Sequence, residues 1–550
     1  MTAPLAAPGC AAVAGAPGPG ELRYHHLGHY AALTPHKPAV INASSGQSIS
    51  YAELDARSNQ LAQLLYRQGL RRGDHIAVLM ENHLCLVEVV WAALRSGLFV
   101  TAVNRCLTAD EAAYVLADCD ARVVVASAAL RALAAQVTDR LPYCELRLMV
   151  GGSSVGWEDY EEAIAAQPAR PLAEQWLGAP MLYSSGTTGR PKGILRTLPA
   201  RLIEEGPEPS RAMTLSRYGF DQDSVCLTAA PLYHAAALGN VVNLQFCGGT
   251  AVFLEKFDAA QALAVIERYR VTHSQWVPTM FVRMLKLDPA VRARHDLSSL
   301  RVAIHAAAPC PAEVKRRMIA WWGPIVHEYY SATEFYGYTA IDSQEALERP
   351  GSVGRSTLGT IRICAEDGSV LPAGVDGLIY FERDQLPFRY YKDDAKTRAA
   401  QHPGHPNWTT VGDIGHVDAD GYLYLTDRRD FMIISGGVNV YPQAVEDALA
   451  LHPKVADVAV IGVPDADLGE AVKALVEPAA GVALTPQLAG ELLAFLRDKV
   501  ARYMLPRTLE FIDELPRLPT GKLLKRSLRE RYRHEAGRSA AQPTASEAAG

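Results

Sequence analysis

The sequence predicts an α/β protein in which a large N-terminal part built on mostly parallel sheet precedes a small α+β domain. Three observations carry that reading. Helical and strand-like patterns alternate through residues 50–126, hairpin-type turns take over beyond Gly351, and 550 residues exceed what one hydrophobic core organises. Ser50 and Glu53 form an S-x-x-E capping box, and Leu54, Leu61, Leu64 and Leu65 follow at helical spacing until Gly69 closes the C-terminus. Residues 76–80 form a short apolar run of strand length, 84–94 read as helix, and 123–126 as a buried strand. Asp367-Gly368 and Asp420-Gly421 are hairpin turns, the second leading into a strand at 422–425. A charged cluster at 427–430 marks a boundary, after which Ile433 and Ile434 run into Ser435, Gly436 and Gly437. Pro442 then starts a helix carrying Val445 and Leu449, strands follow at 455–463 and 471–476, and a helix spans 486–499. The expected division is a leader at 1–20, an N-terminal domain at 21–429, a C-terminal domain at 430–536 and a tail at 537–550. Leader and tail are rich in Ala with Pro, Gly or Ser and are expected to be disordered.

Apolar residues make up 49% and charged residues 21%, an ordinary globular balance. The net charge of -6 gives no reason to expect nucleic acid, and the one basic run, 522–533, is short and interrupted by Leu and Glu. Nine cysteines without a CxxC pair argue against a disulfide framework and against a zinc site, and for a reducing compartment. The longest apolar candidate, 84–100, is broken by Glu88 and Arg95, so no membrane span is expected. The leader carries no Lys or Arg and lacks the charged region of a secretory signal, and the protein is expected to be soluble and cytoplasmic.

Residues 183–194 read YSSGTTGRPKGI, after an apolar approach through Met181 and Leu182. Ser184, Ser185, Thr187 and Thr188 offer hydroxyl donors, Gly186 and Gly189 let backbone N–H groups close on an anion, and Lys192 adds a point charge. This is a cradle for a polyphosphate. Its spacing is not GxxxxGK[ST]: Gly186 and Gly189 sit three apart, Pro191 precedes the lysine, and Gly193 stands where a magnesium-binding hydroxyl would be.

The same string resembles the adenylate-forming (AMP-binding) family of acyl-CoA synthetases, adenylation domains and luciferases. The resemblance covers roughly 24–532, with the motifs in the family's order. It implies that the loop grips the β- and γ-phosphates of ATP, and that the small C-terminal domain is mobile. Residues 327–334, HEYYSATE, resemble the family's YGxTE, which puts Tyr330 on the adenine, Thr333 at the α-phosphate and Glu334 on magnesium, with Ser331 where glycine is usual. The segment 305–311, HAAAPCP, implies that Ala306, Ala307 and Ala308 lie against the adenine. In PLYH, 231–234, His234 would gate the acyl pocket.

By the same resemblance Asp413 of WTTVGDIG accepts both ribose hydroxyls, a task that suits a fixed carboxylate, and Arg428 reaches ribose or phosphate. Asp430 is the hinge position, and Gly436 and Gly437 border the pantetheine tunnel, with Val438 replacing the commoner glutamate. Lys522 of LPRLPTGKL bridges carboxylate and α-phosphate in the first half-reaction. The runs PKGI-x-R at 191–196 and GSVGR at 351–355 look most like bacterial synthetases for fatty, aryl or steroid side-chain acids.

The implied reaction is acid plus ATP giving acyl-AMP and pyrophosphate, then displacement of AMP by the thiol of CoA, with magnesium and a small-molecule carboxylic acid as the other components. Two readings compete with it, an adenylation enzyme loading a separate carrier protein and a nucleotide-binding regulator without catalysis. No carrier domain is expected after the small domain, and Lys192, Glu334, Asp413 and Lys522 are all present. Luciferase-like oxidation is not excluded by the motifs. The walls of the acid pocket are expected at 233–240, 302–306 and 331–336.

Overall fold

Two largely parallel sheets frame the N-terminal region of the computed structural model, which describes residues 24–184, 190–436, 438–465, 467–517 and 523–541. The first has six strands in the order Glu158–Asp159, Leu146–Val150, Val123–Ser127, His75–Leu79, Phe99–Ala102 and Ala179–Pro180, every pairing parallel. The expected helix after Ser50 runs over Tyr51–Arg67, and both halves of its capping box are formed. Gly69 ends it at a φ of 82°, a conformation costly for any other residue. In the apolar helix Leu84–Leu94 the charges at Glu88 and just beyond it, at Arg95, are paired inside the core, with Arg57 at 2.9 Å and Asp55 at 2.6 Å. No helix among the described residues is long and apolar enough to cross a membrane.

The second sheet has nine strands, and five of them carry the site: β1 (Val225–Thr228), β2 (His273–Trp276), β3 (Val302–His305), β4 (Val326–Tyr330) and β5 (Tyr338–Ile341). Its order is Arg355–Leu358, β5, β4, β3, β2, β1, Thr250–Phe253, Pro38–Asn42, Ser48–Ser50. Pairings are parallel from β4 to Pro38–Asn42 and antiparallel at both edges. Helix α1 (Pro209–Arg217) precedes β1, and α2 (Ala235–Cys247) follows it and is buried along most of its length. Such a parallel sheet collects ligands outside the carboxyl ends of its strands. Here those ends lead into the loops that hold Tyr233 and His234, Ala306 to Ala308, and Ser331 to Glu334.

Beyond Gly351 a six-stranded antiparallel sheet contains β6 (Asp413–Val417) paired with β7 (Leu423–Arg428). A three-stranded sheet of Leu182–Tyr183, Gly193–Leu195 and Arg389–Tyr390 clamps the two flanks of the phosphate loop together. After β7 the small domain has its own core, with Val445, Leu449, Val460, Val472, Ala474 and Leu492 buried between helices and a five-stranded sheet. It carries α3 (Pro442–Ala450) and ends on α4 (Lys525–Ala541).

Two boundaries differ from the sequence reading. The helix expected at 486–499 stops at Leu496, where the N–H groups of Lys499 and Val500 turn back onto the Leu496 carbonyl. The last helix reaches Ala541, so its final five residues fall within the segment 537–550 expected as a tail. The leader at 1–20 lies outside the described residues.

Candidate active site

Asp413 is the anchor of the site. It opens β6, is 7% exposed, and lies directly across the ladder from Arg428 at the end of β7. The register therefore fixes the pair before any side chain is placed: the Arg428 Nε donates to Asp413 Oδ1 at 2.9 Å. Tyr330, at the end of β4, donates its hydroxyl to Asp413 Oδ2 at 2.6 Å and also meets the Tyr336 hydroxyl. The carboxylate holds the guanidinium charged, raising its pKa, and burial together with Asp413 drives the Tyr330 phenol far above its ordinary range. Arg428 keeps 35% of its side-chain surface open although protein encloses it.

Four residues on, the buried Glu334 accepts from the Tyr390 hydroxyl through Oε1 at 2.9 Å. The loop between them is tied down locally, by the Ser331 hydroxyl donating to the Gly337 carbonyl at 2.7 Å and the Phe335 N–H donating to the Ala332 carbonyl at 2.9 Å. Ser331, in the place of a glycine, therefore serves as a brace for the loop that carries Thr333. Gly337 is required there, because a Cβ would run into the Phe381 ring.

After β3, Ala306 is buried and Ala307 and Ala308 are exposed. Ala307 has a φ of 76°, a left-handed conformation that costs a non-glycine residue about 1 kcal/mol or more. His234 is the N-cap of α2 and stacks obliquely on Tyr233 with ring centroids 4.3 Å apart.

At the phosphate loop the Ser184 N–H donates to the Lys192 carbonyl at 2.9 Å, and the Lys192 N–H donates to Ser184 Oγ at 3.2 Å, closing its base. The Lys192 ammonium lies 2.8 Å from Asp393 Oδ2, and that contact raises its pKa. Asp393 is also the N-cap of Asp394–Ala399, so the lysine is held by a carboxylate that has its own place in the fold. A polyphosphate would take the ammonium from Asp393.

The model of the AMP-binding enzyme family matches residues 27–391, and that of its C-terminal domain matches 444–522. The chain belongs to this family. It is an ATP-dependent, AMP-forming acid–thiol ligase, activating a carboxylic acid as its acyl adenylate. It is 34% identical to a feruloyl-CoA synthase of Amycolatopsis over 508 residues, 91% of this chain and 97% of that protein. It is 31% identical over 507 residues to the long-chain-fatty-acid–CoA ligase FadD13 of Mycobacterium tuberculosis, again 91% and 97%. Among solved structures, ATP-bound MatB of Rhodopseudomonas palustris superposes with a TM-score of 0.76 at 29% identity, covering 92% of this chain and 99% of that one.

In this ligase the expected residues Tyr330 and Arg428 both meet Asp413, Glu334 is held by Tyr390, and Ser184 and Lys192 close the base of the expected phosphate loop. Ser185, Gly186, Thr187, Thr188, Gly189, Gly437 and Lys522 lie outside the described residues. Gly436 has a φ of 58°, and a Cβ there would stand 3.1 Å from Leu468. Among the described residues no group of three or more His, Cys, Asp or Glu could hold a metal unaided. Glu334 is the carboxylate that would hold a magnesium ion, a hard cation that readily combines one carboxylate with phosphate and water. Tyr390 and Asp393 were not read from the sequence, and Tyr336 was expected only as part of the pocket wall 331–336, not as a partner of Tyr330. Tyr336, Tyr390 and Asp393 lie 6, 56 and 201 positions from the residues they serve, and no local pattern marks such pairings.

The small domain meets the end of β7 through polar contacts. The Gln443 N–H donates to Asp427 Oδ2 at 3.3 Å, and Gln443 Nε2 donates to Asp447 Oδ1 at 2.7 Å. Lys525 pairs with Glu446 at 2.9 Å and lies over the Phe431 ring. Burial pushes the Asp447 carboxyl up to about 7. A carboxyl raised this far binds a proton more readily folded than unfolded, so stability falls as pH rises from about 4 to about 7 and then levels. Asp447→Asn, which keeps the acceptor for Gln443, is expected to stabilise the enzyme by on the order of 2 kcal/mol at pH 8 and not at all near pH 4. Denaturant midpoints at the two pH values check this.

Proposed function

We propose that the acid is an aryl or arylalkenoic acid and that the accepting thiol is coenzyme A. The observation that carries the acid is the aromatic face presented by β4 and β5. Tyr329 and Tyr338 stack with centroids 4.9 Å apart, and Phe335 lies 6.2 Å from Tyr338. Flat rings in offset and edge contact suit a planar substrate ring better than a flexible chain. The relatives that are named for feruloyl-CoA and for indoleacetate, at 34% and 31% identity, agree in kind.

The carboxylate enters beside His234 with ATP held by Asp413 and Arg428, Lys192 on the phosphates, and Thr333 and Glu334 at the α-phosphate. These groups fix attack geometry and neutralise charge, which is most of what adenylation needs. Lys522 supplies the ammonium at the reacting centre. Rotation about Asp430 then brings Gly436 and Gly437 to the tunnel through which the thiol arrives. We place the reaction in the cytoplasm, a setting that suits free thiols such as the eight described cysteines, none of which is paired.

Pyrophosphate release from ATP and magnesium is the test, with aryl, medium-chain and long-chain acids, each with and without CoA. The expected result is release that needs an aryl acid and becomes multiple-turnover only with CoA. Release indifferent to CoA would favour carrier loading, and preference for a long alkyl acid would overturn the aryl reading.

A further inference from the structure

The acid cavity has a polar far end. Register places Gln275 of β2, Ile304 of β3 and His327 of β4 side by side on one sheet face, and Tyr329 and Tyr338 share it. Helix α2 packs across this face, where Asn240 Nδ2 donates to Thr228 Oγ1 at 3.1 Å. Tyr218, just past α1, closes the far side, with its hydroxyl 2.9 Å from that of Tyr338 and its ring edge-on to His327. Counted along α2 from His234, where the carboxylate is proposed to enter, Gly239 and Asn243 lie about 7 and 13 Å further on.

At that depth the walls change from aromatic to charged. Arg211 of α1 donates through Nη1 to Asn243 Oδ1 at 2.6 Å and to the Gly239 carbonyl at 3.3 Å, and through Nε to Glu208 at 3.5 Å. Glu208 and Arg211 balance each other. Glu208 also acts on Arg196 at longer range, so one carboxylate serves two guanidinium groups; Arg196 itself lies 5.4 Å from the centre of the Phe335 ring and forms no close hydrogen bond or ion pair among the described residues.

Protein encloses Arg196 on nearly all sides, and that burial lowers its pKa, yet the residue keeps accessible surface. A group so enclosed and still accessible faces a cavity. On the same sheet face Gln275, 8% exposed, turns its amide N–H to the Tyr329 hydroxyl and leaves its Oε1 without a hydrogen-bond partner. An enclosed cation without an acceptor and a buried amide oxygen without a donor each cost free energy unless a ligand completes them.

We propose that Arg196 reads an oxygen substituent at the end of the acid remote from the activated carboxylate. The preferred substrates are then oxygenated aryl acids, and Glu208 and Arg211 are positioning residues that fix α1 against α2 at the subsite. The proposal rests on the aryl reading above. A site built to hydrogen-bond a substrate oxygen rejects the analogue that lacks it far more strongly than an apolar pocket rejects an extra group.

The test is kcat/KM for CoA-dependent pyrophosphate release with cinnamic, 4-hydroxycinnamic and 4-carboxycinnamic acids, using the wild type, Arg196→Met and Arg196→Lys. The wild type is expected to prefer at least one oxygenated acid over cinnamic acid by roughly 100-fold. Arg196→Met is expected to reduce that preference below about tenfold while still turning over cinnamic acid, and Arg196→Lys to retain more of it for the carboxylated acid. Turnover of cinnamic acid reports that each variant is folded.

Equal kcat/KM for all three acids in the wild type, or an undiminished preference in Arg196→Met, would overturn the proposal and leave the ligase standing. No turnover of any of the three would overturn the aryl reading and this proposal with it.

Discussion

Lys522→Ala is expected to slow acyl-adenylate formation by about 10³-fold or more and to leave thioester formation from supplied acyl-AMP within a few-fold of the wild type. The reason is where charge concentrates. In the first step a carboxylate approaches an α-phosphate, two anions that must come within bonding distance, and an ammonium between them acts only while both are present. In the second step the acyl group leaves AMP for a thiol, and Asp413 and Arg428, in their proposed ribose role, would hold the nucleotide without that lysine. The residues on either side of it are fixed: Arg517 and Leu523 pair with each other, and Lys525 is bound to Glu446 and Phe431. The substitution should therefore leave the small domain in place. Separate assays of pyrophosphate release and of thioester formation from acyl-AMP and CoA check it. Equal loss in both steps would show that Lys522 serves the structure and not adenylation.

How much was legible beforehand follows from the range of the interactions. The capping box at Ser50 and Glu53 and the glycine stop at Gly69 are local, and both stand where the sequence puts them. The alternation of helix and strand over 50–126 sufficed for parallel sheet, because a crossover helix between two parallel strands leaves that rhythm in the chain. The motif residues Tyr330, Glu334, Asp413 and Arg428 were found by their order along the chain, yet the order says nothing of Tyr390 on Glu334 or Asp393 on Lys192.

Arg196 shows the limit most clearly. The run PKGI-x-R displays it next to the phosphate loop, where it reads as one more cation. Only the packing shows that it lies over the Phe335 ring, near Glu208 and Arg211 but without a close ion pair among the described residues. Similarly Ser331 reads as a departure from glycine, and its role as a brace depends on the Gly337 carbonyl six residues away.

Asp413→Asn separates the two tasks of the residue that anchors the site. It accepts from Tyr330 and Arg428 through different oxygens, and it is the group expected to accept the ribose hydroxyls. An amide in its place keeps the shape, replaces one acceptor with a donor aimed at another donor, and leaves the Arg428 guanidinium without its counter-ion. The expected result is a loss of about 100-fold in kcat/KM for ATP together with about 1–2 kcal/mol of stability. The stability loss is a matter of an unpaired charge, so adding Arg428→Met should recover most of it, since removing both partners of an enclosed pair is often close to neutral. The ATP defect should remain or deepen, because the sugar has then lost both its acceptor and the neighbouring cation. Recovery of kcat/KM in the double variant would mean that Asp413 only holds Arg428. A single Asp413→Asn variant within threefold of the wild type for ATP would remove the ribose role altogether.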